Sequence, residues 1–353
     1  MAGDFEEFGG WPTVLGTVTA GRDLTEDVAE AAMAEILNGD ATPSQIAGLI
    51  VALRMKGETI DELTGLVRAM LDASVPVSLP AAVEAIDIVG TGGDKAHTIN
   101  VSTISSFVVG GAGATVCKHG NRAASSACGS ADLLEALGVV IDLGPAGVAR
   151  CVAEVGMGFC FAPRFHAAMR HAVPTRRELG VPTVFNFLGP MANPARVTRL
   201  VIGVADLAVA ERMVAVLAAN GAQRAMVVHG DDGLDELTTT TTSTVLELRD
   251  GMVRQFTLDP TDLGLASASA DDLRGGNAEH NAALARAVLS GAPGPHRDVI
   301  LLNAAAGLVT AGLADELADG VVLAGRSIDE GHASAVVERL VAVSTDARAS
   351  DLD

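Results

Sequence analysis

The chain has no tyrosine, one tryptophan and nine phenylalanines among 353 residues. Proteins that bind single-stranded nucleic acids stack the bases on aromatic side chains, which are scarce here. Basic residues are also few, since 24 lysines and arginines face 44 aspartates and glutamates, for a net charge of −20. Broad binding to a nucleic-acid backbone needs a basic surface. The composition therefore argues against a nucleic-acid partner, and an anionic ligand would need local donors and a metal ion.

Cysteine is scarce as well, and the four residues show no CxxC spacing: Cys117, Cys128, Cys151 and Cys160. This spacing favours free thiols in a reducing compartment over a disulfide framework or a zinc site. The acidic N-terminus does not resemble a signal peptide, and no apolar run reaches the roughly 18 residues of a membrane span. We expect a cytoplasmic protein with no membrane partner.

About half of the residues are apolar (49%), which is enough for a sizeable core. The length fits two or three domains, or one large α/β domain with a smaller companion. Residues 25–74 have the apolar spacing of three short helices, and two capping boxes, Thr42 with Gln45 and Thr59 with Glu62, begin two of them. Three short helices leave an apolar face for another segment or another subunit. The proline-bearing stretch Val75–Pro80 is the expected hinge into a second domain.

The stretch from Asp87 to Gly138 organises the rest of the chain. Two short apolar runs each lead into a polar loop and then into a helical segment, which predicts a parallel α/β sheet with a site at its carboxyl edge. The first loop is Gly90–Asp94 (GTGGD), and the second is Lys118–Ser126 (KHGNRAASS). Glycines allow backbone N–H groups to approach an anion, and a helix N-terminus behind them favours negative charge. We interpret the pair of loops as a polyphosphate cradle.

Each loop also has a simpler interpretation. GTGGD alone is about as often a tight turn without a ligand, and it is neither a Walker loop nor a good dinucleotide fingerprint. KHGNRAASS alone fits an ordinary solvated turn. Two such loops in one βαβα unit make these interpretations much weaker.

A third loop, His229–Glu236 (HGDDGLDE), follows another predicted strand. Adjacent carboxylates on a glycine-rich loop can hold Mg²⁺ together with the phosphates of a substrate. Taken alone, this loop fits better as a surface acidic turn. The threonine run Thr238–Thr242 beyond it is interpreted as an exposed strand edge.

Three other segments carry predictions. Gly138–Leu143 has the pattern of a strand, and Ser344–Asp353 is expected to be a frayed acidic tail. The segment Pro163–Ala195 is unusually basic for this acidic chain and includes a short helical run around Arg176 that ends at Gly180.

These motifs occur in a fixed order that resembles the anthranilate phosphoribosyltransferase family, in the nucleoside phosphorylase-like class IV of phosphoribosyltransferases. The order is GTGGD, NVST, KHGNRAASS with GSADLLEALG, RRELG, NFLGPMANP, DGLDE and RDVILLNAAAGL. The resemblance covers nearly the whole chain. It implies transfer of the 5-phosphoribosyl group from phosphoribosyl pyrophosphate to anthranilate in tryptophan biosynthesis, with pyrophosphate released and no covalent nucleophile.

The resemblance also implies an α/β fold of the nucleoside phosphorylase type. A small all-helical N-terminal domain of residues 1–80, with a mid-chain segment of about 163–195, would accompany an α/β domain of residues 81–353 with a mainly parallel central sheet. The expected assembly is a homodimer formed through the helical domains. Mg²⁺ is the expected cofactor, with two ions per subunit.

Site residues carried over from the family fall into three groups. The phosphoribosyl pyrophosphate site would use Gly90, Gly93, Asp94, Thr98, Asn100, Val101, Ser102, Thr103, Lys118, His119, Gly120, Asn121, Arg122, Ala123, Ala124, Ser125, Ser126 and Ser130. Anthranilate would contact Gly90, Asn121 and Arg176, while Ser102 would help hold one Mg²⁺ and Asp235 with Glu236 the other. Met169 stands where some relatives have an aromatic residue, which leaves the shape of the outer acceptor site open.

Two alternatives share this fold. A pyrimidine-nucleoside phosphorylase would use inorganic phosphate and a nucleoside, and the NRAASS loop and the Asp-Glu pair argue against it. A non-enzymatic nucleic-acid-binding relative should be basic and should lack an intact pyrophosphate loop. This chain is acidic and has both loops.

Overall fold

The structure, a computed structural model, describes residues 5–94, 96–123 and 127–350. The described part of the chain begins with a 3₁₀ turn, Phe5–Phe8, and a bundle of four helices: α1 (Gly10–Thr19), α2 (Glu26–Asn38), α3 (Pro43–Lys56) and α4 (Ile60–Asp72). The three helices predicted between residues 25 and 74 are confirmed as α2–α4, and both capping boxes form as predicted. Helices α2 and α4 pack closely because Gly65 has no Cβ, which would overlap the Glu26 carbonyl oxygen.

A seven-stranded sheet forms the centre of the molecule. Its strands are β1 (Ala85–Gly90), β2 (Thr115–Gly120), β3 (Met157–Phe161), β4 (Arg199–Gly203), β5 (Arg224–Gly230), β6 (Ser243–Arg249) and β7 (Met252–Leu258). The spatial order is β3-β2-β1-β4-β5-β6-β7, with β1–β5 parallel and β6 and β7 antiparallel. The predicted α/β fold with a mainly parallel sheet is confirmed. The hairpin turn between β6 and β7 uses Asp250 (φ 53°) and Gly251 (φ 75°), as its Asp-Gly sequence predicts.

The remaining helices surround the sheet, except that α9 and α10 pack against helices α3 and α4 of the N-terminal bundle. They are α5 (Val101–Gly111), α6 (Ser130–Leu137), α7 (Pro145–Val155), α8 (Ala162–Phe165), α9 (Val173–Leu179), α10 (Phe185–Leu188), α11 (Leu207–Ala219), α12 (Ala278–Leu289), α13 (Pro295–Ala311), α14 (Leu317–Asp329) and α15 (His332–Ser350). Every residue of α13 from Val299 to Ala311 is buried. Helix α13 packs on α5, on α14 and on strands β1, β4 and β5, so it forms the centre of one hydrophobic core.

The structure of Gly138–Leu143 and of the C-terminal residues differs from the prediction. Gly138–Leu143 is an irregular segment, although Val139, Ile141 and Leu143 are buried as the alternating pattern requires. The Val140 N–H bonds the Ser344 side chain on α15 in place of a neighbouring strand. The predicted frayed tail, Ser344–Asp353, is helical over residues 344–350, because α15 continues to Ser350, and residues 351–353 lie outside the described residues.

A second hydrophobic core joins the N-terminal helices to the mid-chain segment and to the face of the sheet that carries α11. Ala172, Phe185 and Leu188 lie in this core. The predicted hinge stretch is hydrogen-bonded to the mid-chain segment, because the Val75 N–H bonds the Phe165 carbonyl (2.9 Å) and the Val77 N–H bonds the Pro194 carbonyl (3.1 Å). In the described part of the chain, no helix is long and apolar enough to span a bilayer.

Candidate active site

The carboxyl ends of the central parallel strands and the loop after β5 surround a cavity of about 370 Å³. The residues lining it are Val89–Asp94, His97–Thr103, Lys118–Ala123, Cys128–Ser130, Asn186, Asp235 and Glu236. The predicted glycine loop, the KHGNR loop and the Asp-Glu pair therefore meet at one sheet edge, although as many as 143 residues separate them in the sequence. Ala124, Ser125 and Ser126 lie outside the described residues.

The glycine loop is held against the acidic loop. Gly92 and Gly93 have φ angles of 71° and 89°, which favour glycine. The Thr91 N–H bonds the Gly203 carbonyl, and the Gly92 N–H bonds Asp235 Oδ2 at 2.6 Å. Gly90 also lies so close to Asp235 that an added Cβ would overlap the carboxylate. A side chain at Gly90 would displace the Asp235 carboxylate, so the close contact between the two loops requires glycine at this position.

Helix α5 points its N-terminus into the cavity. Its first residues, the NVST motif, begin at the N-cap Asn100, whose side-chain amide bonds the Cys128 carbonyl at 2.9 Å. The Val101 and Thr103 side chains are buried, so these residues present their backbone to the site. The Ser102 N–H bonds Glu236 Oε1 at 3.1 Å. The helix dipole at such an N-terminus favours an anion, although the Val101 N–H bonds the Ile99 carbonyl and the Ser102 N–H is occupied by Glu236.

Lys118 lies at the bottom of the cavity with only 1% of its surface exposed. Its ammonium donates to the Ile88 carbonyl and to Ser102 Oγ (3.4 Å). Burial lowers the pKa of Lys118, whereas the charges of Asp87 and Glu236 act to raise it. Burial likewise raises the pKa of Asp87 to about 6, although Lys118, Asn193 and the His119 N–H stabilise its charged form. A buried cation thus lies between two buried carboxyl groups.

The KHGNR loop is fixed by its own hydrogen bonds. Ser130 Oγ bridges the Asn121 N–H (3.2 Å) and the Asn121 carbonyl (3.1 Å). The guanidinium of Arg122 lines the cavity, but it pairs with Asp132 and Glu135 on α6. The sequence alone did not indicate this pairing of Arg122, which occupies part of its donor capacity.

His119 is the buried neutral group of this loop. Burial, together with the nearby His166 and Lys118, lowers the pKa of His119 to about 3. The His119 and His166 rings lie 5.1 Å apart, and His119 Nε2 has no hydrogen-bond partner among the described residues. His119 therefore stays uncharged at neutral pH and adds no positive charge to the anion site.

The acidic loop, His229–Glu236, carries two exposed carboxylates and two buried ones. Asp231 and Asp232 are exposed and accept hydrogen bonds from threonine hydroxyls of the following run. Thr238 and Thr239 are buried, so the run is not an exposed strand edge. Asp235 and Glu236 are buried and face the cavity.

The buried pair has a chemistry that suits a divalent cation. Burial raises the pKa of Asp235 and of Glu236, and the neighbouring carboxylates, Asp94 included, raise them further. Within residues 5–94, 96–123 and 127–350, no three His, Cys, Asp or Glu side chains converge to hold a metal by themselves. A pair of carboxylates without a complete protein cage fits Mg²⁺ that also binds substrate phosphates.

Arg176 lies on α9, outside the lining of the cavity. Its guanidinium lies over the Phe185 ring, 4.9 Å from the centroid, and burial lowers the pKa of Arg176. In the described part of the chain it forms no ion pair. The structure therefore brings together all the described site residues predicted from the sequence except Arg176.

The lining also includes residues that the sequence analysis did not assign, among them His97, Cys128 and Asn186. Asn186 follows Phe185 and belongs to the NFLGPMANP motif, which signals it. A lone histidine such as His97 is more often a structural residue than a base, and nothing in the sequence identifies Cys128 as a lining residue.

Comparisons with known proteins define the class. The glycosyl transferase family helical bundle domain matches residues 12–74, and the glycosyl transferase family a/b domain matches residues 82–334. An anion cradle beside a buried carboxylate pair fits a transferase that acts on a phosphorylated sugar.

Individual relatives narrow the class. Anthranilate phosphoribosyltransferase of an Arthrobacter species is 53% identical over 340 residues, which cover 95% of this chain and 96% of that protein. The anthranilate phosphoribosyltransferase structure from Thermus thermophilus has a TM-score of 0.89 at 42% identity and covers 94% of this chain and 99% of that one. The Saccharomyces cerevisiae enzyme in complex with PRPP and Mg has a TM-score of 0.82 at 27% identity, with 97% of each chain covered. Its complex with 4-fluoroanthranilate has a TM-score of 0.85 at 26% identity and covers 96% of this chain and 99% of that one. This chain belongs to the anthranilate phosphoribosyltransferase family.

Proposed function

We propose that the chain transfers the 5-phosphoribosyl group of phosphoribosyl pyrophosphate to the amine of anthranilate, forming N-(5-phosphoribosyl)anthranilate and pyrophosphate. The observation that carries the proposal is the single cavity in which the glycine loop, the N-terminus of α5 and Lys118 face Asp235 and Glu236. This arrangement offers N–H donors and a cation to the phosphates, and two carboxylates to a metal. No comparable observation supports the alternative function, that of a pyrimidine-nucleoside phosphorylase.

The proposed chemistry needs positioning and charge stabilisation only. The neutral amine of anthranilate attacks C1 of the ribose, the bond from C1 to the pyrophosphate oxygen breaks, and the amine proton leaves to solvent. Lys118 and the N–H groups of the glycine loop and α5 would stabilise the charge that develops on the leaving pyrophosphate. Holding both substrates in one cavity would remove much of the entropic barrier.

Magnesium is the cofactor that the buried carboxylates fit. Asp235 and Glu236 would hold one ion, and Ser102, whose hydroxyl lies 3.4 Å from the Lys118 ammonium, would help to hold a second. When bound, the ions would neutralise the pyrophosphate oxygens. Two ions per subunit would neutralise the ionised pyrophosphate group more fully than one.

The first test of the proposal is an assay of anthranilate fluorescence. We expect the fluorescence to fall after mixing with phosphoribosyl pyrophosphate and Mg²⁺, and to stay constant when EDTA is present. If folded protein consumes no anthranilate in Mg²⁺, the proposed acceptor is wrong. Other amines and nucleosides would then be tried on the same cradle.

We expect Arg176→Ala to raise the KM for anthranilate far more than the KM for phosphoribosyl pyrophosphate. A guanidinium suits a carboxylate because it donates two parallel hydrogen bonds, and Arg176 has no acidic partner among the described residues. Steady-state kinetics with each substrate varied in turn measure the two constants. The control is Arg177→Ala on the same short helix, whose side chain is exposed. Equal increases in both constants would contradict the assigned role.

The proposed assembly is a homodimer formed through a helical domain of residues 1–80 and about 163–195, next to an α/β domain of residues 81–353. An apolar cleft between α1 and α3, lined by Val18, Val51, Ala52 and Met55, supports this interface, and Met55 is 83% exposed. Sedimentation velocity of the wild type and of Met55→Glu tests it, with a shift from dimer to monomer expected.

The four buried cysteine thiols are consistent with the proposed cytoplasmic location.

A further inference from the structure

The side chain of Asn303 is fully buried in the middle of α13. Its oxygen accepts a hydrogen bond from the Leu237 N–H (3.0 Å), and its amide donates to the Leu237 carbonyl (2.8 Å) and to the Val299 carbonyl (2.9 Å). One side chain thus binds both polar backbone groups of a single residue 66 positions away. Asn303 belongs to the LLNAAAGL motif, to which the reaction assigns no role.

Leu237 directly follows Asp235 and Glu236. Asp232 also holds the loop, because it accepts hydrogen bonds from the Leu234 N–H (3.2 Å), before this pair, and from the Thr238 hydroxyl (2.9 Å), after it. The two carboxylates therefore lie on a short irregular segment that is anchored at both ends. Of the two anchoring side chains, Asn303 on α13 is buried and Asp232 is exposed.

This segment is constrained on both sides. It cannot move inward, because the Asp235 carbonyl lies against Gly203, where a Cβ would overlap it. The amide of Asn303 opposes outward movement because its donor and acceptor both bind Leu237.

We propose that Asn303 is a positioning residue for the phosphoribosyl transfer: by fixing the backbone of Leu237, it keeps Asp235 and Glu236 in the geometry that binds the divalent cation. The inference rests on the metal site of the proposed function. Asn303 does not line the cavity, and it acts only through the segment that it anchors. Groups that orient metal ligands in this way typically contribute about 10–100-fold to metal affinity.

The test is a titration with Mn²⁺ in the presence of pyrophosphate, with free Mn²⁺ measured by electron paramagnetic resonance. We expect Asn303→Ala to raise the Kd for Mn²⁺ by about tenfold or more. The matched control is Ser327→Ala, since Ser327 is also buried and donates a hydrogen bond of 2.8 Å to the Val108 carbonyl. Both variants should lower the melting temperature, but Ser327→Ala should leave the Kd for Mn²⁺ within about twofold of the wild type.

Two results would overturn the inference: an unchanged Kd in folded Asn303→Ala, or an equal rise in Ser327→Ala. If Asn303→Ala does not fold, Asn303→Ser, which retains a small polar group on the helix, is judged by the same criteria. Asp235→Asn separates this inference from the proposed function. If Asp235→Asn abolishes Mn²⁺ binding while the Asn303 variant does not weaken it, only the role of Asn303 is wrong. If Asp235→Asn binds Mn²⁺ normally, the metal site itself is wrong.

Discussion

The double variant Asp235→Asn, Glu236→Gln should lose most of its activity and become more stable in EDTA. The activity loss follows from the two carboxylates assigned to magnesium, and we expect kcat/KM to fall on the order of 10³-fold, in the range found for other charge-stabilising groups. Both amides preserve the shape of the site, because an amide oxygen can still accept from the Gly92 N–H and the Ser102 N–H. The loss of activity would therefore result from the missing negative charges and not from a changed shape of the site.

The gain in stability has a definite sign. The folded protein raises the pKa of both carboxyl groups above the unfolded values, so the stability they contribute is present at low pH and is lost as the pH rises through the folded pKa. At alkaline pH both ionised groups disfavour folding, and the neutral amides remove this cost. Differential scanning calorimetry at about pH 9 in EDTA should show a rise of a few degrees, about what 1–2 kcal/mol produces in a chain of this size.

The control is Asp231→Asn, which removes one charge from the same loop but at an exposed position. It should keep kcat/KM within a few-fold of the wild type. Full activity in the double variant would show that the metal, if needed, is held elsewhere. A lower melting temperature in EDTA would show that the two carboxylates have favourable partners even without a cation.

The second large effect is expected for Lys118→Met. The side chain is replaced by one of similar length, so packing is largely kept, but the cation between Asp87 and Glu236 is lost. Breaking a buried ion pair by removing one partner costs about 3–5 kcal/mol, and the charge that develops on pyrophosphate loses a donor worth about 10²–10³-fold in rate. Both effects should appear together at about pH 8.

The cost in stability should shrink as the pH falls. Asp87, with a pKa of about 6 in the folded protein against 3.8 for an ordinary aspartate, becomes protonated as the solution is acidified. Without Lys118 its pKa rises further, so the neutral form is reached at a higher pH. Urea unfolding at about pH 8 and at about pH 6 should therefore show a larger difference from the wild type at the higher pH.

Lys56→Met provides the matched control for this variant. Lys56 is a mostly buried lysine in the helical bundle, where it pairs with the fully buried Glu62 at 3.0 Å. This control should be destabilised to a similar extent while kcat stays unchanged. If Lys56→Met lost as much activity as Lys118→Met, the kinetic effect would be one of global stability.

The sequence predicted the elements whose signals are local. Capping boxes at Thr42 and Thr59, glycine loops after β1 and the Asp-Gly hairpin turn all depend on residues within a few positions of one another. The hydrogen bonds of the capping boxes and the backbone preferences of glycine and of the Asp-Gly pair determine the local conformation wherever the segment lies in the fold. The site edge was predictable too, because parallel strands place the loops that follow them on one side of a sheet.

The errors and omissions concern side-chain partners that lie outside the span of a local motif, from 6 to 204 residues away. The alternation of Gly138–Leu143 predicts a strand, but the Val140 N–H bonds Ser344 on α15 instead of a neighbouring strand. The exposed threonine edge was wrong because Asp231 and Asp232 bind the hydroxyls. Nothing near Arg122 signals its pairing with Glu135, and nothing near Leu237 signals Asn303. Such contacts depend on tertiary packing. Neither the amino-acid composition nor the spacing of apolar residues along the sequence specifies that packing.

The hydrogen bonds from Gly92 to Asp235 and from Ser102 to Glu236 span 143 and 134 residues. Contacts of such separation can form only once distant parts of the chain have come together. During synthesis, the glycine loop leaves the ribosome long before the carboxylates that complete the site, and Asn303 follows later still. A growing chain therefore has no complete cation site until nearly all of the α/β fold is made. Ligand binding at this cavity would therefore report that the α/β fold is complete.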